Sequence, residues 1–171
     1  MTSMLPAEPT DLLERRLAAA ENAVRRYCGW HIAPVIDDEL VLDGSGTRTL
    51  FVPSLRVDSI LSCEVGGVPV DVETLEWSGD GYLRRSCGVW PDRLRAVKLR
   101  IRHGFESAPE VVEIVHEMAE RAMSAVGGRV RETAGGVSIA NATTAPGVSG
   151  GVVLMEHERV QLEPYRIHRR T

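Results

Sequence analysis

The hydrophobic period of this chain changes twice, from helical to strand-like and back, and that order is the strongest constraint on its fold. Leu13, Leu17, Ala20, Val24 and Tyr27 recur at spacings of three and four, which predicts an amphipathic helix over residues 11–28. Asp11 with Glu14 three residues on makes a capping-box pattern at its start. Gly29, without a Cβ, can take the left-handed conformation that closes a helix, and Pro34 prevents a restart.

Over residues 39–103 the period is two. Leu40 with Leu42, Leu50 with Val52, and the run 57–65 read as strands, with Gly44-Ser45-Gly46 and Gly66-Gly67 as hairpin turns between them. Further short strands are expected at 68–73, 75–77 and 82–84, with Ser78-Gly79-Asp80-Gly81 as a tight turn. Val97, Leu99, Ile101 and His103 alternate with Lys98, Arg100 and Arg102, the pattern of a strand with one buried and one wet face.

The helical period returns over 108–126. Ser107 and Glu110 make a second capping-box pattern, Pro109 falls in the first turn, and Val111, Val115, Met118, Ala122 and Val126 form the stripe that Gly127-Gly128 ends. Residues 129–151, rich in Gly, Ala, Ser and Thr, predict an extended β arm around 130–139 and then a flexible loop. A short helix is expected within 152–162, without a clean stripe and broken by Pro164, before a basic and aromatic tail, 165–170, that reads as a docking segment outside the core. The fold class is therefore α+β. A small helical core (1–128) carries an inserted antiparallel β-hairpin block, followed by the arm (129–151) and a C-terminal helix and docking tail (152–171).

At 171 residues and 43% hydrophobic content, the chain is sized for one domain with arms. A formal net charge of −4, with basic residues spread through the chain, excludes the strongly basic face of a dedicated nucleic-acid binder. Lys98 is the one lysine among 20 basic residues, a bias read as coding composition. Cys28, Cys63 and Cys87 are odd in number and far apart, so a reducing compartment is expected in place of a disulfide framework. Residues 1–9 lack a basic and an apolar region, and no stretch approaches the roughly 20 apolar residues that span a bilayer, so neither a signal peptide nor a membrane segment is expected.

Few residue groups invite chemistry. Cys28 and His31 form the sharpest pair, because an imidazole activates a neighbouring thiolate, but no acidic orienting group stands near them in sequence. A zinc site needs ligands in local pairs, which the three cysteines and His31 do not supply. His116-Glu117 and His157-Glu158 each begin like a zincin helix, yet Glu120 and Gln161 stand where the second histidine belongs. Gly44-x-Gly46 and Gly79-x-Gly81 lack the rest of a phosphate loop and read as hairpin turns. Glu110, Glu113, Glu117 and Glu120 share a helical face that reads as solvated. Arg95, Lys98, Arg100 and Arg102 are the best candidates for touching phosphate, set against the plainer reading of an exposed strand balanced by acidic neighbours. Trp30, Trp77 and Trp90 stand apart from basic residues and are assigned to packing or subunit contacts. No cofactor or metal is expected.

Four segments together resemble head-tail connector proteins of tailed bacteriophages, in particular the adaptor of siphophages of actinobacterial hosts. They are Arg25-Arg26-Tyr27-Cys28-Gly29-Trp30-His31-Ile32, Leu50-Phe51-Val52-Pro53-Ser54-Leu55-Arg56-Val57, Glu76-Trp77-Ser78, and His103-Gly104-Phe105 leading to Pro109. The likeness rests on their order over nearly the whole chain, and none is a catalytic signature. It implies a non-enzymatic virion protein, made in the host cytoplasm and residing in the neck. It would form a ring, a dodecamer in that family, beneath the portal protein and join it to a head-closure or other tail connector, while genomic DNA passes through the lumen without specific binding. It also implies that the C-terminal segment reaches the portal, and Leu154, Met155, Leu162, Tyr165 and Arg166 are the expected docking residues. The alternatives are a head-closure or tail-completion protein, or a small cysteine hydrolase using Cys28 and His31. On the adaptor reading, alanine at both Leu162 and Tyr165 is expected to abolish portal binding in a pull-down while leaving the fold intact.

Overall fold

A computed structural model describes residues 11–126, 131–134, 137–140 and 152–168, and it is α+β. The expected stop at Gly127-Gly128, the flexible loop before Gly151, the N-terminal segment before Asp11 and the end of the basic tail lie outside the described residues. The chain divides into two compact units. The helical unit comprises Met1–Tyr27 and Pro109–Pro164, and the β unit comprises Cys28–Ala108 and Tyr165–Thr171.

In the helical unit, α1 (Leu12–Cys28) begins where Asp11 Oδ1 accepts the Leu13 backbone N–H at 3.3 Å. Ala20 and Val24 are buried one turn apart, whereas Leu13, the expected start of the stripe, is 43% exposed. α2 (Pro109–Val126) opens with Pro109 in its first position, where the missing N–H is not needed, so Ala108 and not Ser107 precedes the helix. It buries Val111, Ile114, Val115, Met118, Ala119 and Ala122, a wider stripe than the spacing of four alone predicts. The expected arm is a two-stranded antiparallel ribbon, β8 (Arg131–Ala134) and β9 (Val137–Ala140). α3 (Glu156–Leu162) follows an extended stretch and runs into a 3-10 turn, Glu163–Tyr165.

The β unit is organised by β7 (Val97–His103), flanked by β1 (Ile36–Leu42) and β3 (Val57–Val65), with β4 (Val68–Val70) beyond β3. The neighbouring pairs are antiparallel, and β7 alternates perfectly between buried and exposed residues. Val97, Leu99 and Ile101 are wholly buried, each contributing about 1.5–3 kcal/mol of transfer free energy. The same core takes in Leu50, Leu75 and Leu83 of a three-stranded sheet, β2 (Thr49–Phe51), β6 (Tyr82–Arg85) and β5 (Leu75–Trp77), in that order.

Three details depart from the sequence reading. β1 begins at Ile36, three residues before the expected start, because the inward position Asp38 interrupts the apolar alternation. β3 bulges between Val57 and Ser59 and again between Ile60 and Ser62, so its buried residues, Val57, Ile60 and Cys63, recur every three positions and Leu61 is turned out. Gly44-Ser45-Gly46 is not a hairpin turn: β1 pairs with β7 and β2 with β6, and the glycines carry the chain from one sheet to the other. There Gly44 N–H donates to the Arg93 carbonyl at 2.8 Å, and the Arg95 N–H donates to Asp43 Oδ1 at 2.7 Å. The expected strand 68–73 gives way after β4 to a 3-10 turn, Val72–Thr74, capped by Asp71.

The other two glycine turns are hairpins as read. Gly66 and Gly67 both have positive φ in the two-residue β3–β4 turn. Gly81, in the β5–β6 turn, has φ +83°, and a Cβ there would collide with the carbonyl oxygens of Val52 and Ser54.

His103 closes the inward row of β7 at 2% exposure, with both ring nitrogens lacking a hydrogen-bond partner. Burial pushes its pKa below the ordinary 6.5, the His31 ring adds to this, and Asp38 opposes it. Asp38 Oδ2 lies 3.7 Å from Nε2, beyond hydrogen-bond range, and His103 is neutral at pH 7, so the contact is not an ion pair there. The unfolded chain therefore binds a proton more readily than the folded one. Stability should be constant for this group above about pH 6.5 and fall below it, with a slope of at most about 1.4 kcal/mol per pH unit. Urea melts from pH 7.5 to 5 check this: His103→Leu should flatten the part of the decline that starts near pH 6.5.

Candidate functional site

The expected docking residues fall on two anchored pieces of chain, one in each unit. In the helical unit, Arg121 of α2 donates through Nη2 to the Val153 carbonyl at 3.1 Å and to Glu158 Oε1 at 2.7 Å. Glu158 is wholly buried, and its Oε2 accepts the Met155 backbone N–H at 2.6 Å, which satisfies an orphan donor at the start of α3. One carboxylate thus ties α3 to α2 and caps α3. Tyr27 O–H donates to Glu163 Oε2 at 3.1 Å just past the helix.

Leu162 is wholly buried in this unit, and Leu154 and Met155 are half-buried. In this C-terminal segment the exposed large apolar residues are Val160 at 67% and Val153 at 38%, neither of which is among the expected docking residues. Seven residues make barely two turns, too few for a stripe to reveal which side of α3 is outward.

In the β unit, Trp30 Nε1 donates to the Tyr165 carbonyl at 2.7 Å, and the Ile167 N–H donates to the Cys28 carbonyl at 2.8 Å. The Tyr165 ring meets Phe105 edge-on at 5.8 Å between centroids, and Phe105 meets Trp30 in the same way at 5.7 Å. Gly29, at φ +84°, lets the chain turn beside Ile167. The described part of the tail is thus part of the β unit and not a segment outside the core; Arg166 and His168 are its exposed residues. With Leu162 and Tyr165 both packed, alanine at the pair would disturb the fold, since truncating a buried leucine costs about 2–5 kcal/mol. That variant does not separate docking from folding, contrary to the expectation from sequence.

The basic row of β7 is exposed and matched. Directly across the ladders, Asp37 faces Arg102, Glu39 faces Arg100 and Glu64 faces Lys98, and the Asp37–Arg102 contact measures 3.8 Å. Exposed pairs of this kind add little stability, about 0–1 kcal/mol, but they cancel the field that a phosphate backbone would need.

Of the chemical candidates, Cys28 is wholly buried, and His31 Nε2 lies 2.7 Å from the Pro34 carbonyl, donating to it. Burial raises the Cys63 thiol to about 11, and Cys87 is exposed. Trp30 and Trp90 are buried, as packing residues should be, while Trp77 is 44% exposed. The carboxylate face of α2 does meet a partner element: Glu117, His157 and Glu158 each bring a ligand atom within 4.8 Å of the others. Among the described residues, no helix is long and apolar enough to cross a membrane.

No family model and no curated protein matches this chain.

Removing one partner of a buried ion pair strands the other. Arg121→Ala should cost about 3–5 kcal/mol in a denaturant melt, and adding Glu158→Leu should recover much of it.

Proposed function

We propose that this chain is a non-enzymatic head-to-tail adaptor of a tailed bacteriophage, a ring-forming part that joins the portal to the next connector and leaves a channel for DNA. The observation that carries the reading is the way the chain leaves and re-enters one unit. Met1–Tyr27 and Pro109–Pro164 form the helical unit, and the β block, Cys28–Ala108, is an insertion between them. A helical core with a β insertion is what the resemblance implies, and the four resembling segments supply the junctions and strands of that plan.

Two further features support it. The matched charges on the outer face of β7 suit a wall past which DNA must slide, because each unmatched cation would add salt-sensitive affinity and drag. Exposed apolar side chains on the helical unit, Val112 on α2 and Val153 and Val160 at α3, offer surface for a protein partner to cover. Portal docking is assigned, in the helical unit, to the outward side of α3 with Val160 and to Leu154 and Met155 of the stretch before it, while Leu162 holds that segment in shape; in the β unit, the exposed Arg166 follows the packed Tyr165.

Val160→Asp places a charge on an exposed site and should leave the melting temperature within a degree or two while weakening binding to the portal protein at least tenfold by biolayer interferometry. Unchanged affinity would remove α3 from the docking surface; failure of the unaltered chain to bind portal at all would overturn the adaptor reading.

A further inference from the structure

Two motif fragments that lead nowhere in the sequence converge in the helical unit. Glu117 lies on α2, His157 and Glu158 lie in the first turn of α3, and their ligand atoms lie within 4.8 Å of one another. We propose that these three side chains form a binding site for a divalent first-row transition cation of the Zn2+ class, which clips α3 to α2.

Glu158 is the prepared ligand. It is wholly buried and held from two directions, by Arg121 Nη2 on Oε1 at 2.7 Å and by the Met155 N–H on Oε2 at 2.6 Å. A carboxylate offers about four lone-pair positions, so two hydrogen bonds leave each oxygen able to coordinate. Hydrogen bonds of this kind fix the orientation of metal-ligating carboxylates in general. Glu117 and His157 are exposed, so they can swing inward without disturbing the core. Bonds of about 2.0–2.2 Å to a shared ion would put ligand atoms roughly 3.3–3.6 Å apart, a closure of at most about 1.5 Å from the 4.8 Å within which they lie.

Charge favours a cation. Two carboxylates against the Arg121 guanidinium leave the group net negative, and the nearby Arg159 is itself paired with Glu156 at 3.6 Å. The mixed set of one imidazole and two carboxylates selects the class: Mg2+ and Ca2+ prefer oxygen-only shells, whereas Zn2+ accepts nitrogen and oxygen together. Three protein ligands leave a position for water. Neither zincin match has its second histidine; in the fold, Glu117 of one and Glu158 of the other join His157 in its place.

The site does not depend on the adaptor reading and is tested separately, by titrating the full chain with ZnCl2 in a calorimeter and following its thermal melt. The expected result is one Zn2+ per chain with a raised melting temperature, and no comparable effect of MgCl2. His157→Ala and Glu117→Gln should each weaken the binding at least tenfold and leave the metal-free melt unchanged, while His116→Ala binds as the unaltered chain does. Absence of stoichiometric binding would overturn the proposal. So would unchanged affinity in both ligand variants, which would place the zinc at Cys87 or another histidine.

Discussion

The alternation of β7 is the constraint from which the rest of the β unit follows. Its inward row, Val97, Leu99, Ile101 and His103, is essentially without solvent contact, and its outward row is three cations. It lies in the middle of its sheet, where its backbone groups are paired on both sides. β1 and β3 close on it from either side in antiparallel register. A slip of one residue in either ladder would bury Arg100 and expose Leu99, so the hydrophobic row fixes the register. That register in turn puts Asp37, Glu39 and Glu64 opposite the cations. The neutral outer face is therefore a by-product of the core.

The helical unit depends on a different kind of contact. Its large helices bury conventional apolar stripes, but α3 is too short to be stable alone and has little apolar surface turned inward besides Leu162. It is held by a buried carboxylate serving as cap and ion pair at once. Such an anchor is directional, so α3 has one orientation against α2, and Val160 is presented outward as a consequence. On the proposed adaptor reading, α3 would meet its partner already ordered, which spares the affinity that ordering it on binding would cost.

Much of this was legible in the sequence. The two long helices, the β7 alternation and the Gly66-Gly67 and Gly79–Gly81 turns are set by local periodicity and by residues that tolerate positive φ. What local pattern does not carry is pairing. Gly44-Ser45-Gly46 looks like a hairpin turn because turn chemistry is local, whereas the sheet to which β2 belongs is decided by β6, over thirty residues away. The β3 bulges shift the buried residues from period two to three, which no strand template anticipates. Asp38 conceals the start of β1 because a half-exposed carboxylate stands at an inward position of the alternation. The same holds at the candidate site. The basic tail reads as a free segment, but its fastening to Trp30 and Phe105 depends on contacts sixty or more residues apart. The role of Arg121 with Glu158, and the approach of Glu117 to His157, were equally hidden.

The central claim is that this chain is an assembly part whose ring forms on a portal. Negative-stain imaging with a mass determination, on the protein alone and after mixing with the portal protein of the same particle, tests it most directly. The account predicts closed rings, present in at least the mixed sample and seated on the portal with several copies per particle. A monodisperse monomer in both samples, with bare portals beside it, would contradict it.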